Sequence, residues 1–294
     1  MKKQLLVLFC LVCSLTTAWS WEYETPEFGW SVGTDIVSSY LWRGTNLGGF
    51  ALQPDLNIGW GGLEADLWFN VGAADWTFKD MAPEFDLTLS YSIAGLKLGV
   101  NHQHYFGEGE KFFDFHQMTA EQFISEEASE GYNYNQTEVF AEYNFGEIFE
   151  EVPLTIGWYT YVTGDDAFLD ENDKIHQAYS TYISATYDWE ALDGFTVSPT
   201  IAITPWKSMY NYYEGNFSVA NIDVKLNYEK ELSEHFSFNV WVQGSMRPFR
   251  MNKDNLFISP NNQLGLSHGD QRLNGAIEPC THTLNEKCSL NSFS

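Results

Sequence analysis

The chain has 294 residues, of which 44% are hydrophobic and 17% aromatic, and its 15 basic and 40 acidic residues give a net charge of −25. Such an acidic chain repels nucleic acid, whose binding needs Lys and Arg patches, so we expect no nucleic-acid partner. Of the four cysteines, Cys10 and Cys13 lie in the first twenty residues, and the other two, Cys280 and Cys288, do not make a disulfide framework. No Cys/His spacing indicates zinc. We therefore predict no metal ion and no other cofactor.

Residues 1–20 have the pattern of an export signal. Two lysines precede an apolar core at residues 5–15, and Ala18 and Ser20 occupy positions −3 and −1 of a cleavage site. The apolar run is too short for a membrane anchor. The sequence therefore predicts a signal peptide at 1–20 and an exported chain after it.

Apolar residues alternate with small, polar or acidic ones from residue 28 onward, with the side-chain period of a β-strand. The first apolar set runs from Phe28 to Trp42 and faces a polar set that ends at Arg43; the pattern restarts at Phe50 and continues to Trp60. Nine more segments alternate in this way, near 63–72, 84–93, 96–105, 136–145, 152–162, 179–188, 195–206, 220–228 and 236–245. One apolar and one polar face indicate lipid on one side of each strand and a wet lumen on the other.

The connections between these segments mostly alternate between short and long, as periplasmic turns and outer loops do in outer-membrane barrels. Strands of about ten residues with aromatic ends favour a barrel over a soluble sandwich. The predicted fold is all-β, an antiparallel transmembrane β-barrel of about twelve strands that occupies residues 21–246. The first outer connection, at residues 45–49, is expected to be short.

The alternation stops near Ser245, although barrels of this class close with an even number of strands. Residues 247–294 form an atypical C-terminal segment, either the last strand with poor patterning or a disordered tail. In the second case the original closing strand has been lost or replaced, for instance by a frameshift.

The first hairpin carries a family signature. Residues 32–44 read VGTDIVSSYLWRG, and residues 51–54 read ALQP. This resembles the opening hairpin of the TorF-like porin family of Gram-negative outer-membrane barrels, in which Ser-x-Tyr-x-aromatic-Arg-Gly precedes a Pro-Ala-Leu-Gln-like segment. Arg43 and Gly44 match the motif, and Tyr40 and Trp42 take its aromatic places. The resemblance implies an outer-membrane location and a channel role with no established substrate.

The polar face of the predicted strands is mostly acidic. Its acids are Asp35, Asp55, Glu64, Asp66, Glu84, Asp86, Glu138, Glu142, Asp188 and Asp223, and its bases are Arg43, Lys97 and Lys225. Carboxylates that line a lumen favour cations, so a water-filled barrel would pass small cations and neutral molecules better than anions. The alternative is a plugged barrel in which these acids pair with the bases and conduct nothing.

Arg43 shares its predicted face with Asp35, Asp55 and Asp66. Because a guanidinium can fork to carboxylates, one interpretation is a structural ion pair that fixes the first hairpin. The other is a constriction residue that sets selectivity.

Further features leave alternatives open. The long connection 106–135 could fold inward as a constriction or stay outside as a binding surface. The acidic connection 163–177 lacks calcium-loop spacing and is expected to be a solvated outer loop, with divalent ions bridging it to lipopolysaccharide as the alternative. Inward aromatics are expected to pack the lumen or to stack on sugars or nucleosides; they are Trp68, Tyr105, Tyr159, Tyr161, Tyr182 and Trp241.

An enzyme is not predicted. His102 and His104 fall by parity with the apolar face near the outer rim, as an interfacial polar pair without an identifiable partner. The favoured function is an outer-membrane porin-like channel for passive diffusion of small solutes. The alternative is a non-conducting barrel that serves as a structural, receptor or adhesion module. Expected partners are outer-membrane lipids and lipopolysaccharide, the barrel-assembly machinery and small solutes.

Overall fold

The computed structural model describes residues 28–72, 83–106, 111–116, 135–172, 174–213, 215, 217–233 and 236–248, and the backbone of 261–269. The predicted signal peptide and most of the predicted C-terminal segment lie outside these residues. The two helical segments in this part of the chain, Phe145–Glu147 and Met209–Asn211, are single turns. No helix among the described residues is long and apolar enough to cross a membrane.

Within this part of the chain, twelve antiparallel strands form a closed sheet. They are β1 (Phe28–Val37), β2 (Ala51–Trp60), β3 (Leu63–Gly72), β4 (Glu84–Ile93), β5 (Leu96–Tyr105), β6 (Asn135–Asn144), β7 (Leu154–Gly164), β8 (Thr181–Tyr187, continued by Trp189–Leu192), β9 (Phe195–Thr204), β10 (Ser218–Ser233), β11 (Phe236–Met246) and β12 (Asn261–Gly269). Each strand pairs with its neighbours in sequence, and β12 also pairs with β1. The predicted antiparallel barrel of about twelve strands is confirmed.

The closing strand is the one that the alternation did not show. Ser237 to Ser245 of β11 pair with Gly269 to Asn261 of β12, whose other edge pairs with residues 33–37 of β1. The described part of the chain thus contains a twelfth strand after residue 246, which fits the alternative of a last strand with poor patterning. The segment NNQLGLSHG holds two leucines among glycines and polar residues. A strand held by backbone hydrogen bonds on both edges does not need a strong apolar pattern.

The two predicted faces of the strands are confirmed. The outward set is exposed, with Phe28 at 67% and Trp60 at 55%, whereas inward Gln53, Glu84 and Glu138 are buried. The exposed belt continues around the barrel through Leu63, Leu89, Leu98, Val100, Ile156, Trp158, Ile201, Val224 and Val242. An apolar exterior around a polar interior is the arrangement of a barrel whose solvent is lipid.

Short and long connections alternate between the two ends of the barrel, as predicted. Turns such as 61–62, 94–95 and 193–194 mark a short-turn end, and the connections at the other end are long. The first long connection differs from the prediction because β1 ends at Val37, and a small hairpin of Tyr40–Trp42 paired with Thr45–Gly48 follows it. We call residues 40–48 the lumen hairpin.

Gly164 at the end of β7 allows a close backbone approach. Its φ is +101°, and a Cβ there would lie 1.9 Å from the carbonyl oxygen of Asn135, where the pairing of β6 and β7 shifts register. We expect Gly164→Ala to lower the free energy of unfolding by about 1–3 kcal/mol, measured by urea unfolding in detergent micelles. Gly72→Ala is the control, because a Cβ at Gly72 meets nothing within 4 Å. An equal loss in both variants contradicts this explanation.

Candidate functional site

The lumen hairpin folds into the long-loop half of the barrel. Its Tyr40 and Leu41 are both buried, and the ring of Tyr40 lies 5.6 Å from that of Trp68 on β3. A continuous strand would bury one of two successive residues and expose the other, whereas an inward loop buries both. The predicted alternation is therefore wrong beyond Val37, since Tyr40 and Leu41 are both buried in the lumen.

Arg43 at the tip of this hairpin crosses the lumen to the far wall. Its Nη1 donates to Glu138 Oε1 at 2.6 Å and its Nη2 to Glu138 Oε2 at 2.8 Å, a bidentate pair with side chains 13% and 3% exposed. Nη1 also donates to the hydroxyl of Tyr210 at 2.6 Å. A backbone φ of +43° at Arg43, followed by +77° at Gly44, turns the chain at this point.

Four aromatic rings surround the guanidinium. The distances from Cζ of Arg43 to the ring centroids are 4.7 Å for Trp42, 4.4 Å for Tyr159, 4.7 Å for Tyr182 and 5.9 Å for Tyr210. A cation over an aromatic face is stabilised by the ring quadrupole, and more strongly when it is desolvated. We call the carboxylate and these rings the cation cage (Trp42, Glu138, Tyr159, Tyr182 and Tyr210).

The cation cage belongs to a larger cluster that fills this half of the lumen. The buried members are Tyr161, Tyr182, Ala202, Tyr210 and Ala220, with Trp42, Tyr159 and Met209 packed against them. The hydroxyl of Tyr161 donates to Gln103 Oε1 at 2.7 Å. The predicted inward position of Tyr159, Tyr161 and Tyr182 is confirmed, and here they pack the lumen.

A second loop and Arg247 hold the lumen hairpin in place. Ser208 caps the turn Met209–Asn211, which carries Tyr210 inward. Arg247 donates from Nη1 to Thr45 Oγ1 at 2.6 Å and from Nη2 to the carbonyl oxygen of Tyr210 at 2.8 Å. One guanidinium therefore joins the hairpin to the loop that closes the cation cage.

We expect Arg247→Ala to loosen the lumen hairpin. Hydrogen bonds from a charged donor contribute roughly 1.5–3 kcal/mol each, so local opening should become more frequent. Faster amide hydrogen exchange in residues 40–48 is the expected result. Lys207→Ala is the matched control, since the ammonium of Lys207 lies over the ring of Phe168. Unchanged amide hydrogen exchange of residues 40–48 in Arg247→Ala would show that Arg247 does not hold the lumen hairpin in place.

The short-turn half of the lumen is more open and polar. A cavity of about 340 Å³ lies there, lined by Thr186, Asp188, Thr196, Ser198, Thr200, Asp223, Lys225, Asn227 and Gln243. The ammonium of Lys225 lies 4.9 Å from the ring centroid of Trp241, and no carboxylate of the described residues forms an ion pair with it. The polar side chains that line this cavity are those of a water-accessible vestibule.

The predicted lumen residues face inward, but Arg43 has a different partner from the one expected. It binds Glu138 on β6 rather than Asp35, Asp55 or Asp66 near its own strand. The reason is that the hairpin carries it across the barrel. Glu84 is buried, Asp86 accepts from Asn101 and Gln103 at 3.4 and 3.3 Å, and Tyr159 donates to Glu142. The functional role of the predicted lumen acids and bases stays a prediction.

Acids outnumber bases in the lumen even after pairing. Arg43 pairs with Glu138, and Lys97 pairs with Glu64 at 2.8 Å. Among the described side chains, no ion pair joins a base to Asp55, Asp66, Glu84, Asp86, Glu142 or Asp223. The arrangement in which the three bases neutralise the lumen acids is therefore not present in this part of the chain.

His102 and His104 have partners that the sequence did not indicate. His102 contacts Thr137 Oγ1 at 2.9 Å through Nδ1 and the carbonyl oxygen of Phe112 at 2.7 Å through Nε2; His104 Nδ1 contacts Asn135 Oδ1 at 2.7 Å. Both histidines belong to the outward set, as predicted, but residues 111–116 cover them and leave them 4% and 3% exposed. This part of the long connection therefore lies outside the barrel.

Residues 29–33 spell Gly-x-Ser-x-Gly, so the expectation that the chain has no such nucleophile motif is wrong. Ser31 lies inside β1, whereas a nucleophile elbow places its serine at a turn from strand to helix. The described part of the chain brings no three His, Cys, Asp or Glu side chains together in a way that could hold a metal ion.

The acidic connection after β7 is only partly solvated. Asp166 is fully buried and accepts from the backbone N–H of Ser180 at 2.7 Å, and burial raises the pKa of this carboxyl. Half-buried Asp170 accepts from His176 at 3.0 Å, and this hydrogen bond lowers the pKa of the Asp170 carboxyl to about 2. These carboxyls organise the connection.

The closed sheet, the apolar exterior and the acidic lumen define a transmembrane β-barrel of the outer-membrane type. No protein-family model matches the sequence, and no curated protein sequence matches it either. The resemblance to the TorF-like porin family therefore stays a prediction.

Several solved structures are similar to this chain. The NanC porin has 9% identity and a TM-score of 0.43, over 83% of this chain and 100% of that chain. The CymD monoaromatic hydrocarbon channel has 9% identity and a TM-score of 0.39, over 84% and 89%. Outer membrane phospholipase A from Escherichia coli has 13% identity and a TM-score of 0.36, over 84% and 92%. Similarity at this level carries no conclusion about activity or solute.

Proposed function

We propose that the protein is an outer-membrane channel for small cations and neutral solutes, closed in this conformation by the lumen hairpin. The main support is that a loop closes the lumen, and that the pairing of the wall strands does not depend on this loop. Arg43 lies on the hairpin, whereas Glu138, Tyr159 and Tyr182 lie on strands. Withdrawal of the hairpin would leave all twelve strands paired.

The number of strands supports a channel of modest width. Eight-stranded barrels fill their interior with side chains, and barrels of sixteen or more strands leave an aqueous channel. A twelve-stranded wall lies between these cases, so that one inward loop can decide whether a path exists. The vestibule of about 340 Å³ in the short-turn half supplies the inner part of that path.

Charge supports the preference for cations. The lumen acids that form no ion pair among the described residues are not cancelled by Lys225, and carboxylates that line a pore attract cations and repel anions. Arg43 does not reverse this preference, because Glu138 neutralises it directly. We place the long-loop end outside the cell, since long loops are extracellular in bacterial barrels.

Planar-bilayer recording of the refolded protein tests this function. We expect discrete current steps that become more frequent in Arg247→Ala, because that change releases the lumen hairpin. Silence in both the wild type and Arg247→Ala, across several folded preparations, would reject the channel. The same result would favour the alternative of a non-conducting barrel that acts through its outer loops.

A further inference from the structure

Most residues of the cation cage lie on strands and on a connection other than the lumen hairpin, which carries Arg43. Glu138 lies on β6, Tyr159 on β7 and Tyr182 on β8, and Tyr210 comes from the connection between β9 and β10. The guanidinium enters from the lumen hairpin, between β1 and β2. The wall thus holds a preformed set of groups, and the hairpin supplies a cation to it.

The geometry of the cage is specific for a planar cation. Two nitrogens of one guanidinium reach the two oxygens of Glu138, at 2.6 and 2.8 Å, while one of them also reaches the hydroxyl of Tyr210. A guanidinium presents donors in a fixed fork and stacks on aromatic faces, whereas an ammonium is a compact point charge. Bidentate pairing and ring contacts together therefore select for a guanidinium group.

We propose that the cation cage is a binding site for solutes that carry a guanidinium group, and that Arg43 occupies it as a tethered stand-in. A solute of this class would exchange with Arg43 on its way through the lumen. This inference rests on the proposed channel function for its biological meaning, but the binding itself does not require conduction.

The attachment of Arg43 to the hairpin sets the affinity that a solute needs in order to displace it from the cage. A group on a short flexible linker competes with an effective concentration on the order of millimolar. A free guanidinium solute must therefore be present at a comparable concentration to displace Arg43 from the wild-type cage. When the side chain of Arg43 is removed, this competition disappears, and a lower concentration of the solute is enough to occupy the cage.

Chemical rescue of Arg43→Ala tests the proposal. Alanine keeps Cβ, so ethylguanidinium replaces the missing atoms, with ethylammonium and neutral ethylurea as matched probes. The readout is thermal unfolding in detergent micelles, followed by heat-modifiable gel migration. We expect ethylguanidinium at millimolar concentration to raise the unfolding midpoint of Arg43→Ala well above the effect of either matched probe. The same concentration should raise the unfolding midpoint of the wild type much less, because Arg43 already occupies the cage.

A second change separates the cage from general effects of the probe. In Arg43→Ala/Glu138→Gln the carboxylate is gone, and the rescue by ethylguanidinium should be lost. If Arg43→Ala does not refold, Arg43→Asn replaces it, because Asn tolerates the positive φ at this position and leaves the cage empty. A folded variant that responds equally to all three probes overturns the proposal.

The readout also distinguishes two kinds of failure. Rescue of stability in a barrel that passes no current would keep the guanidinium site and reject the channel. Current steps without any specific rescue would keep the channel and reject the guanidinium site.

Discussion

Arg43→Ala is expected to raise the single-channel conductance of the reconstituted protein several-fold. The substitution removes a guanidinium that spans the lumen and breaks its hydrogen bonds to Glu138 and Tyr210. The lumen hairpin then loses its main contact with the far wall, and the filled half of the lumen becomes wider. Planar-bilayer recordings in symmetric KCl measure the step size directly.

Lys97→Ala is the control for the loss of a lumen cation. Lys97 pairs with Glu64 on the barrel wall, so its removal should change the step size little. Equal conductance of Arg43→Ala and the wild type would show that Arg43 does not close the lumen.

Glu138→Gln is expected to give the largest loss of stability among the lumen variants. The Glu138 carboxylate is 3% exposed and receives two hydrogen bonds from a guanidinium that is itself 13% exposed. Removal of one partner of a buried pair costs roughly 3–5 kcal/mol, because it leaves the other charge uncompensated. Urea unfolding in micelles measures the change in the free energy of unfolding.

A double-mutant cycle shows whether this loss comes from the pair. In Arg43→Ala/Glu138→Gln no charge is left uncompensated, so the double variant should lose less stability than the sum of the single variants. A coupling free energy of roughly 0.5–3 kcal/mol is typical of groups in direct contact. Additive losses would contradict the explanation and would indicate that the two residues act separately.

The strands and their faces could be predicted from the sequence because lipid outside and a polar lumen inside require apolar and polar residues in alternation. Most strands that separate lipid from a polar lumen alternate between apolar and polar residues, so the side of residues such as Trp60 and Asp55 can be assigned from the sequence. The closing strand is different, since β12 is held by backbone pairing to β1 and β11 and its sequence alternates weakly. Pairing of this kind leaves no pattern in the side chains.

The candidate site could be predicted only in part. Arg43 and Glu138 were both expected to face the lumen, but they are 95 positions apart, and no local pattern tells which walls face each other. The sequence also could not separate an inward hairpin from a continuing strand, because apolar residues after Ser39 fit both. A strand would expose alternate residues to lipid, whereas the hairpin buries successive ones in the lumen. The cover over His102 came from a connection whose position depends on tertiary contacts.

The reversal potential across a KCl gradient shows whether the acidic lumen, once the hairpin no longer closes it, prefers cations. It should be measured in Arg43→Ala, where the current steps are expected to be largest. We expect a reversal potential with the sign of a cation-selective channel, and we expect it to become smaller as salt screens the carboxylates. A reversal potential of zero, or one with the sign of an anion-selective channel, would contradict this expectation.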